Sequence, residues 1–176
     1  MRRYLRHRVP GACYFFTVNL AERKNNSRLV THIEALRDAF AKTKQDHPFE
    51  INAIVVLPEH LHCLWTLPPD DDDFSTRWSL IKARFSRALP AGEKISKSRE
   101  AKGERGIWQR RFYEHYIRDD ADYAKHVDYI HWNPVKHGLV SRAIDWPHSS
   151  IHRYVRESLL SQDWAADSAI SDEFWE

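Results

Sequence analysis

The stretch from Phe49 to Leu67, FEINAIVVLPEHLHCLWTL, decides the fold. Its first part, Phe49 to Leu57, is a nearly continuous apolar run, which predicts a central strand of a sheet. Its second part, His60 to Leu67, alternates in character from residue to residue, which predicts another strand. Only Pro58 and Glu59 separate the two parts, so we expect them to pair as an antiparallel hairpin.

Further elements flank this hairpin on both sides. In chain order, apolar periodicity predicts them at Ala12 to Leu20 (strand), Thr31 to Asp46 (helix), Asp73 to Leu89 (helix), part of Ile107 to Arg118 (strand) and Asp119 to Asn133 (helix). Pro134 is expected to end the last helix, which carries Tyr129. The order β-α-β-β-α-β is that of the split βαβ, ferredoxin-like pattern. We therefore predict an α+β fold with an antiparallel sheet, helices on one face and the additional tyrosine-bearing helix.

Length and composition predict one main domain. The 176 residues are 42% apolar, which is enough for a hydrophobic core, and no uncharged apolar run is long enough to span a membrane. Cys13 and Cys63 both lie among apolar neighbours, which indicates reduced thiols and a cytoplasmic protein. The five glycines form no phosphate-loop or dinucleotide signature, so no nucleotide cofactor is expected. We divide the chain into a domain over residues 1–150, with a flexible basic loop at 91–106, and an acidic tail over 151–176.

The formal net charge of +2 conceals a strong segregation of charge. Residues 1–8 hold four arginines and no acid, residues 94–111 hold seven basic residues against two acidic ones, and residues 157–176 hold six acids and no Lys or Arg. Such basic segments either bind a polyanion or form an ordinary solvated surface. The candidate contacts to a nucleic acid are Arg2, Arg3, Arg6, Arg110 and Arg111, the last two beside aromatic residues that suit unpaired bases.

The first candidate site is the triplet His60-Leu61-His62. Residues two apart in a strand point to the same face, so both imidazoles aim together while Leu61 faces the core. Two adjacent imidazoles can hold one divalent cation, although two ordinary strand histidines would give the same pattern. Glu59 and His115 are candidates for orienting one of the rings through a hydrogen bond.

The second candidate site is the pair Tyr129 and Asn133. The two residues are four apart and therefore neighbours on one helical face, at the border of its apolar stripe. A helix resting on the sheet can bring this border against the two histidines. Asn133 would then offer a carbonyl oxygen to the metal, and Tyr129 would present its hydroxyl to a phosphate that the metal polarises. The alternative is a surface aromatic followed by an ordinary helix cap.

Together the two sites, with the sequence around them, resemble the IS200/IS605-like transposases, which carry a His-hydrophobic-His motif. More closely, the chain resembles the REP-associated tyrosine transposases. The matching stretches are FFTVNL (15–20), FEINAIVVLPEHLHCLWTLP (49–68), DDDFSTRW (71–78), IWQRRFYEH (107–115) and HVDYIHWNPVKHGLV (126–140).

This resemblance implies a function and a set of roles. His60 and His62 would bind a divalent metal, Mg²⁺ or Mn²⁺, with Asn133 in the position of the third ligand. Tyr129 would be the nucleophile that cleaves and rejoins single-stranded DNA through a 5′-phosphotyrosine, at repeated palindromes that fold as hairpins. The resemblance favours a monomer, with a dimer as the alternative.

Two other functions compete with this one. A domesticated protein that binds hairpin DNA without turnover would keep the fold and the basic surface. A metal hydrolase of small substrates would need further ligands and a base, which the sequence around His60 and His62 does not supply. The intact set His60, His62, Tyr129 and Asn133 favours the DNA-cleaving enzyme.

Overall fold

The structure is a computed structural model, which describes residues 6–165 of the chain. Arg2 and Arg3, which the sequence offers as DNA contacts, and residues 166–176 of the acidic tail lie outside this range. Among the described residues, no helix combines the length and the apolar character that are needed to cross a bilayer.

One antiparallel sheet organises the fold, and its described strands are β1 (Cys13–Asn19), β2 (Glu50–Val56), β3 (His60–Thr66) and β4 (Tyr113–Tyr116). They lie in the order β2-β3-β1-β4, so β1 and β3 are central and β4 is an edge strand. The strands β2 and β3 are the predicted hairpin, with Val56 opposite Leu61. The split βαβ, ferredoxin-like prediction is confirmed by this order. The fourth strand lies within residues 107–118, as predicted, at Tyr113–Tyr116.

The helices lie on both faces of the sheet. They are α1 (Arg28–Thr31), α2 (Ile33–Asp46), α3 (Phe74–Ala88), α4 (Lys97–Glu100), α5 (Asp120–Lys136) and α6 (Ile151–Arg156). The predicted helix from Thr31 is therefore divided, because the turn α1 ends at Thr31 and α2 begins only after His32. The alternation of β3 sends Leu61, Cys63 and Trp65 into the core beneath α2 and α3.

The core under α2 and α3 is largely aromatic. Trp65 of β3 stacks on Trp78 of α3 with ring centroids 4.4 Å apart, and Phe16 of β1 packs against both rings. The spacing of Phe74, Trp78, Ile81 and Phe85 places all four on the buried face of α3, as the periodicity predicts. This face of the sheet is therefore closed by apolar packing.

The helix α5 covers the opposite face of the sheet. Its Val127 and Ile130 are buried against a smaller apolar cluster that includes Phe15 of β1 and Leu64 of β3. The side chains of His60 and His62 belong to this face, because they alternate with Leu61 and Cys63 along β3. The tyrosine-bearing helix thus lies over the strand that carries the histidines.

The prediction that Pro134 ends this helix is wrong. The helix begins after Asp119, whose carboxylate accepts a hydrogen bond from the backbone N–H of Asp122 at 2.8 Å, and it continues through Pro134 to Lys136. A proline ring removes one backbone donor but leaves its carbonyl free to accept, and its φ is compatible with a helix. Only two helical residues follow Pro134, and the Pro134 carbonyl accepts from Leu139 N at 2.9 Å.

Two peripheral segments are more structured than the sequence suggests. The segment 91–106, predicted to be a flexible loop, contains α4 and is fastened by Arg105, which donates to the carboxylate of Glu93 at 2.8 Å and to backbone carbonyls at the end of α3. The chain beyond residue 150 does not start as a tail, because α6 packs on the edge strand β2. The Tyr154 hydroxyl donates to the carbonyl of Asn52 at 2.9 Å.

Candidate active site

The two histidines of β3 lie side by side under α5. Their ring centroids are 4.9 Å apart, and both side chains are almost completely buried. The Nδ1 atom of His60 lies 2.8 Å from Oε1 of Glu59, and the Nδ1 atom of His62 lies 2.8 Å from Oγ1 of Thr17. When each Nδ1 carries the proton and donates to its oxygen partner, each Nε2 presents a lone pair, the form in which imidazole binds a metal.

The electrostatics of the site favour neutral imidazoles. Burial lowers the pKa of His60, although the Glu59 carboxylate opposes the shift. Burial lowers the pKa of His62 well below its usual range, and the neighbouring His60 and His137 act in the same direction. The Nε2 atom of His62 is buried and has no hydrogen-bond partner among the described residues. A neutral ring with an unpartnered lone pair is a ready metal ligand.

Tyr129 lies against these rings. Its ring centroid is 5.1 Å from that of His62 in an edge-on arrangement, and Phe15 of β1 contacts both rings. The ammonium group of Lys136 lies 5.4 Å from the centre of the Tyr129 ring. A phenol, a histidine pair and a cation are therefore gathered on one side of α5.

Asn133, one turn after Tyr129, is fully buried in the helix that covers the histidines. Neither its Oδ1 nor its Nδ2 has a hydrogen-bond partner among the described residues. Burying an unsatisfied amide costs roughly 1–3 kcal/mol, so such a group is usually explained by a ligand or a water. Together with the Nε2 of His62, this orphaned oxygen gives a nitrogen and oxygen donor set that suits a divalent cation.

His115 does not lie where the sequence analysis expected it, because it orients neither His60 nor His62. Its Nε2 is 2.9 Å from Oδ2 of Asp122, and its ring stacks on His126 with centroids 4.7 Å apart. The same carboxylate oxygen accepts from the backbone N of Arg118 at 3.1 Å. His115 therefore ties β4 to the first turns of α5.

His115, Asp122 and His126 could themselves be taken for a metal site, since one ligand atom from each lies within 4.8 Å of the others. However, Oδ2 of Asp122 already accepts from His115 and twice from Arg118, and Nδ1 of His126 is bonded to the Asp122 carbonyl at 2.8 Å. Burial alone would raise the pKa of Asp122, but these hydrogen bonds outweigh it and hold the pKa at about 2. The ligand atoms of this cluster are thus already engaged in hydrogen bonds within the protein.

The predicted DNA contacts differ in how far they are engaged within the protein. Arg6 donates to Ser75 at 3.0 Å and lies 4.1 Å above the ring of Phe112. Arg110 is paired with the carboxylate of Glu104 at 2.9 Å. Arg111 is exposed and forms no ion pair within residues 6–165.

Sequence reasoning missed Thr17, Lys136 and His137, the last with its ring 5.1 Å from that of His60. Lys136 lies seven residues after Tyr129, and His137 lies four residues after Asn133. Helical spacing alone therefore places both residues on the face that carries Tyr129 and Asn133. Thr17 carried none, because its contact with His62 depends on the register between β1 and β3, in which the two residues are directly opposite.

Comparisons with known proteins bear on the family and the fold of the chain. No protein-family model matches the chain. The chain is 50% identical over 167 residues to the REP-associated tyrosine transposase of Escherichia coli K12, which covers 95% of this chain and 93% of that protein. A Haemophilus influenzae relative assigned to the same family is 45% identical over 168 residues, which is 95% of each chain. A solved structure of a REP-associated tyrosine transposase bound to a REP hairpin superposes with a TM-score of 0.82 at 48% identity, covering 98% of this chain and 94% of that one.

Proposed function

We propose that this chain, which belongs to the family of REP-associated tyrosine transposases, cleaves and rejoins single-stranded DNA beside hairpin elements with Tyr129 as the nucleophile. The observation that carries the proposal is the position of Tyr129, 5.1 Å from His62 and one turn before Asn133, whose amide has no hydrogen-bond partner among residues 6–165. Hairpin DNA as the partner is supported by the REP hairpin in the related solved structure. A cytoplasmic location is proposed with this function.

The cleavage step follows from the groups that face each other. The Tyr129 oxygen forms a bond to the phosphorus while the bond from phosphorus to the 3′-oxygen breaks. The proton that the phenol loses is balanced by the proton that the departing 3′-oxygen gains. The products are a 5′-phosphotyrosine and a free 3′-hydroxyl, and attack by a 3′-hydroxyl on the phosphotyrosine rejoins a strand. The phosphodiester energy is conserved, so no nucleotide cofactor is required.

We propose that His60, His62 and Asn133 hold a divalent cation, Mg²⁺ or Mn²⁺, at this point. When bound, the cation supplies positive charge that polarises the phosphate. Glu59 and Thr17 fix the tautomer and orientation of the two rings through their Nδ1 atoms.

The surroundings of the tyrosine support the same role. Lys136 adds positive charge beside the Tyr129 ring, where charge develops during attack. The ring of Phe15 packs against both the histidine and the tyrosine, which supports their mutual orientation.

We propose that a single chain completes the site and that the protein acts as a monomer. Tyr129 and His62 of the same chain contact each other, so the tyrosine helix acts on its own sheet. The DNA strand would approach over the edge strand β4, where Tyr113 is 55% exposed and the exposed Arg111 precedes it. An exposed aromatic ring beside a cation that forms no ion pair among the described residues suits unpaired bases and their phosphates.

The experiment that tests this function uses hairpin DNA with single-stranded flanks, labelled at the 3′ end and incubated with Mn²⁺. A denaturing gel should show label attached to the protein, because the 3′ fragment remains on the tyrosine. Tyr129→Phe should abolish the adduct, while Tyr123→Phe, a matched change on the same helix, should retain it. Tight hairpin binding without any adduct would instead support a binding protein without turnover.

A further inference from the structure

A second feature of the molecule, on the opposite face from the histidines, is a cavity of about 670 Å³ between α3 and the segment that leads into β4. This volume lies within the roughly 300–1,000 Å³ of typical small-ligand sites. The cavity is strongly basic, with one carboxylate, that of Glu104, in its lining. The cations that line it are Arg6, Lys82, Arg87, Arg99, Arg105 and Arg110.

Three of these cations are engaged in holding the wall together. Arg99 donates to the Trp108 carbonyl at 3.1 Å, Arg105 is paired with Glu93, and Arg110 is paired with Glu104. Lys82 and Arg87 form no ion pair within residues 6–165. Arg6 lies 3.6 Å from Oε1 of Glu114. The lining cations that form no ion pair among the described residues are therefore both on α3.

Lys82 is the least expected of these cations. Its side chain is partly buried, and its Nζ donates to the backbone carbonyl of Gln109 at 2.9 Å. Burial, together with the nearby charge of Arg6, lowers its pKa to about 8. Holding an ammonium group among other cations is unfavourable, and an anion in the cavity would offset the cost.

The cavity also offers an aromatic surface. Phe112 contributes its ring to the lining, and the guanidinium group of Arg6 lies 4.1 Å from the ring centre. The Nζ of Lys82 lies 5.3 Å from the same ring. An aromatic ring and a planar guanidinium group offer stacking surfaces to an unpaired base, and the cations beside them suit its phosphate.

We propose that this cavity binds an unpaired nucleotide of the DNA substrate, with its phosphate at Lys82 and Arg87 and its base against Phe112 and Arg6. The proposal rests on the proposed function, since it assigns a second part of the same DNA. A concave site of this size admits a single nucleotide, whereas a duplex presents a convex backbone. We therefore assign the site to unpaired DNA flanking the hairpin stem.

The position of the cavity links it to the candidate active site. Phe112 immediately precedes β4 and packs with the core under α3, whereas Tyr113, the next residue, lies opposite Thr17 on the histidine face. Consecutive residues of an extended chain point to opposite faces. A DNA strand that crosses the edge strand β4 would therefore pass from the basic cavity to the side of Tyr129.

The test measures binding of three labelled DNAs by fluorescence anisotropy: a hairpin with single-stranded flanks, the same hairpin with blunt ends, and the flanking strand alone. The full chain carries Tyr129→Phe, so that cleavage does not interfere. Lys82→Met should weaken binding of the flanked hairpin about tenfold and leave the blunt hairpin nearly unchanged. Lys82→Arg should restore much of the loss, and Lys44→Met, an exposed change of equal charge on α2, is the control.

Arg87→Ala provides a second variant that removes an exposed cation without disturbing the core, and it should lower affinity for the same DNA. Equal losses for blunt and flanked hairpins would overturn the proposal in favour of contact with the duplex stem. No loss with either Lys82→Met or Arg87→Ala would overturn it in favour of an unused cavity. If the wild-type chain forms no covalent adduct while these binding differences persist, the proposed chemistry fails and the nucleotide site stands.

Discussion

Two histidine clusters lie on the same face of the sheet, under the same helix, and they differ in how far their polar atoms are satisfied. The His60 cluster, which comprises His60, His62, Tyr129 and Asn133, contains buried nitrogen and oxygen atoms with no hydrogen-bond partner among the described residues. The Asp122 cluster comprises His115, Arg118, Asp122 and His126. Its carboxylate oxygen Oδ2 accepts hydrogen bonds from both His115 and Arg118.

The difference shows that the residue types in a cluster do not by themselves determine its chemical role. By composition, the Asp122 cluster has the more familiar metal-ligand set, with two imidazoles and a carboxylate. Its hydrogen bonds already balance that carboxylate, so the cluster stabilises the junction of β4 and α5. The His60 cluster retains unmet binding capacity, which a protein interior tolerates when a ligand or a function requires it.

The largest expected effect comes from removing a ligand of the His60 cluster. His62→Ala should lower the cleavage rate on the order of 100-fold or more, because several kcal/mol of phosphate polarisation are lost with the metal. His115→Ala should retain most of the rate per folded molecule. Single-turnover cleavage of labelled hairpin DNA, normalised to the folded fraction, measures both. Equal losses in the two variants would remove the distinction between the clusters.

A smaller effect is expected from the residue that orients His60. Glu59→Gln keeps the shape of the side chain but replaces a carboxylate acceptor with an amide, so the His60 ring is held less firmly. Affinity for Mn²⁺ should fall roughly 10- to 100-fold, the range for changes to groups that support a metal ligand. Titration of Mn²⁺ in the presence of uncleaved hairpin DNA measures this, and an unchanged affinity would show that Glu59 does not act through His60.

In the Asp122 cluster the expected effect is on stability. Asp122→Asn should lower the free energy of unfolding by about 1–3 kcal/mol, because charged hydrogen bonds from His115 and Arg118 are lost. Asp128→Asn, an exposed change on the same helix, is the control and should have little effect. Denaturant unfolding followed by circular dichroism measures both values. A neutral result for Asp122→Asn would mean that the cluster does not stabilise the fold.

The same cluster predicts a pH dependence. The pKa of Asp122 is about 2 in the folded protein, below the 3.8 of a free side chain, so its ionised form stabilises the folded state above pH 3.8. This contribution is lost as the pH falls from about 4 towards 2. The difference in unfolding free energy between wild type and Asp122→Asn should therefore shrink in acid. A difference that stays constant from pH 7 to pH 3 would argue against a depressed pKa.

The smallest effect is expected at the two arginines that precede β4, of which Arg110 forms an ion pair and Arg111 forms none among the described residues. Arg111→Ala should weaken hairpin binding a few-fold and reduce the slope of affinity against salt by about one, because one phosphate contact is lost. Arg110→Ala should do less, since Arg110 is paired with Glu104. Anisotropy titrations at several salt concentrations measure both, and the reverse order would contradict the assignment.

The sequence predicted those parts of the fold that depend on local periodicity. The hairpin, the shared face of His60 and His62, and the buried stripe of α3 all follow from spacings of two or of three to four residues. The placement of Tyr129 on α5 was likewise predictable. Its approach to the histidines then required only that α5 cover the sheet.

The rest depends on contacts between distant segments, which periodicity does not report. The partner of His62 was hidden because the register between β1 and β3 selects Thr17. The bounds of the fourth strand within residues 107–118 could not be predicted, because Ile107 and Trp108 pack into the core before β4 begins. Pro134 was misjudged because a proline in the last turn sacrifices little helical hydrogen bonding.

The central claim is that the His60 cluster, and not the Asp122 cluster, holds the divalent cation. Electron paramagnetic resonance of free Mn²⁺ tests it directly, with the full chain carrying Tyr129→Phe and with hairpin DNA present. The account predicts that combining His60→Ala with His62→Ala removes Mn²⁺ binding, whereas combining His115→Ala with His126→Ala retains it in the folded protein. Loss of Mn²⁺ binding only in the second pair would contradict the account.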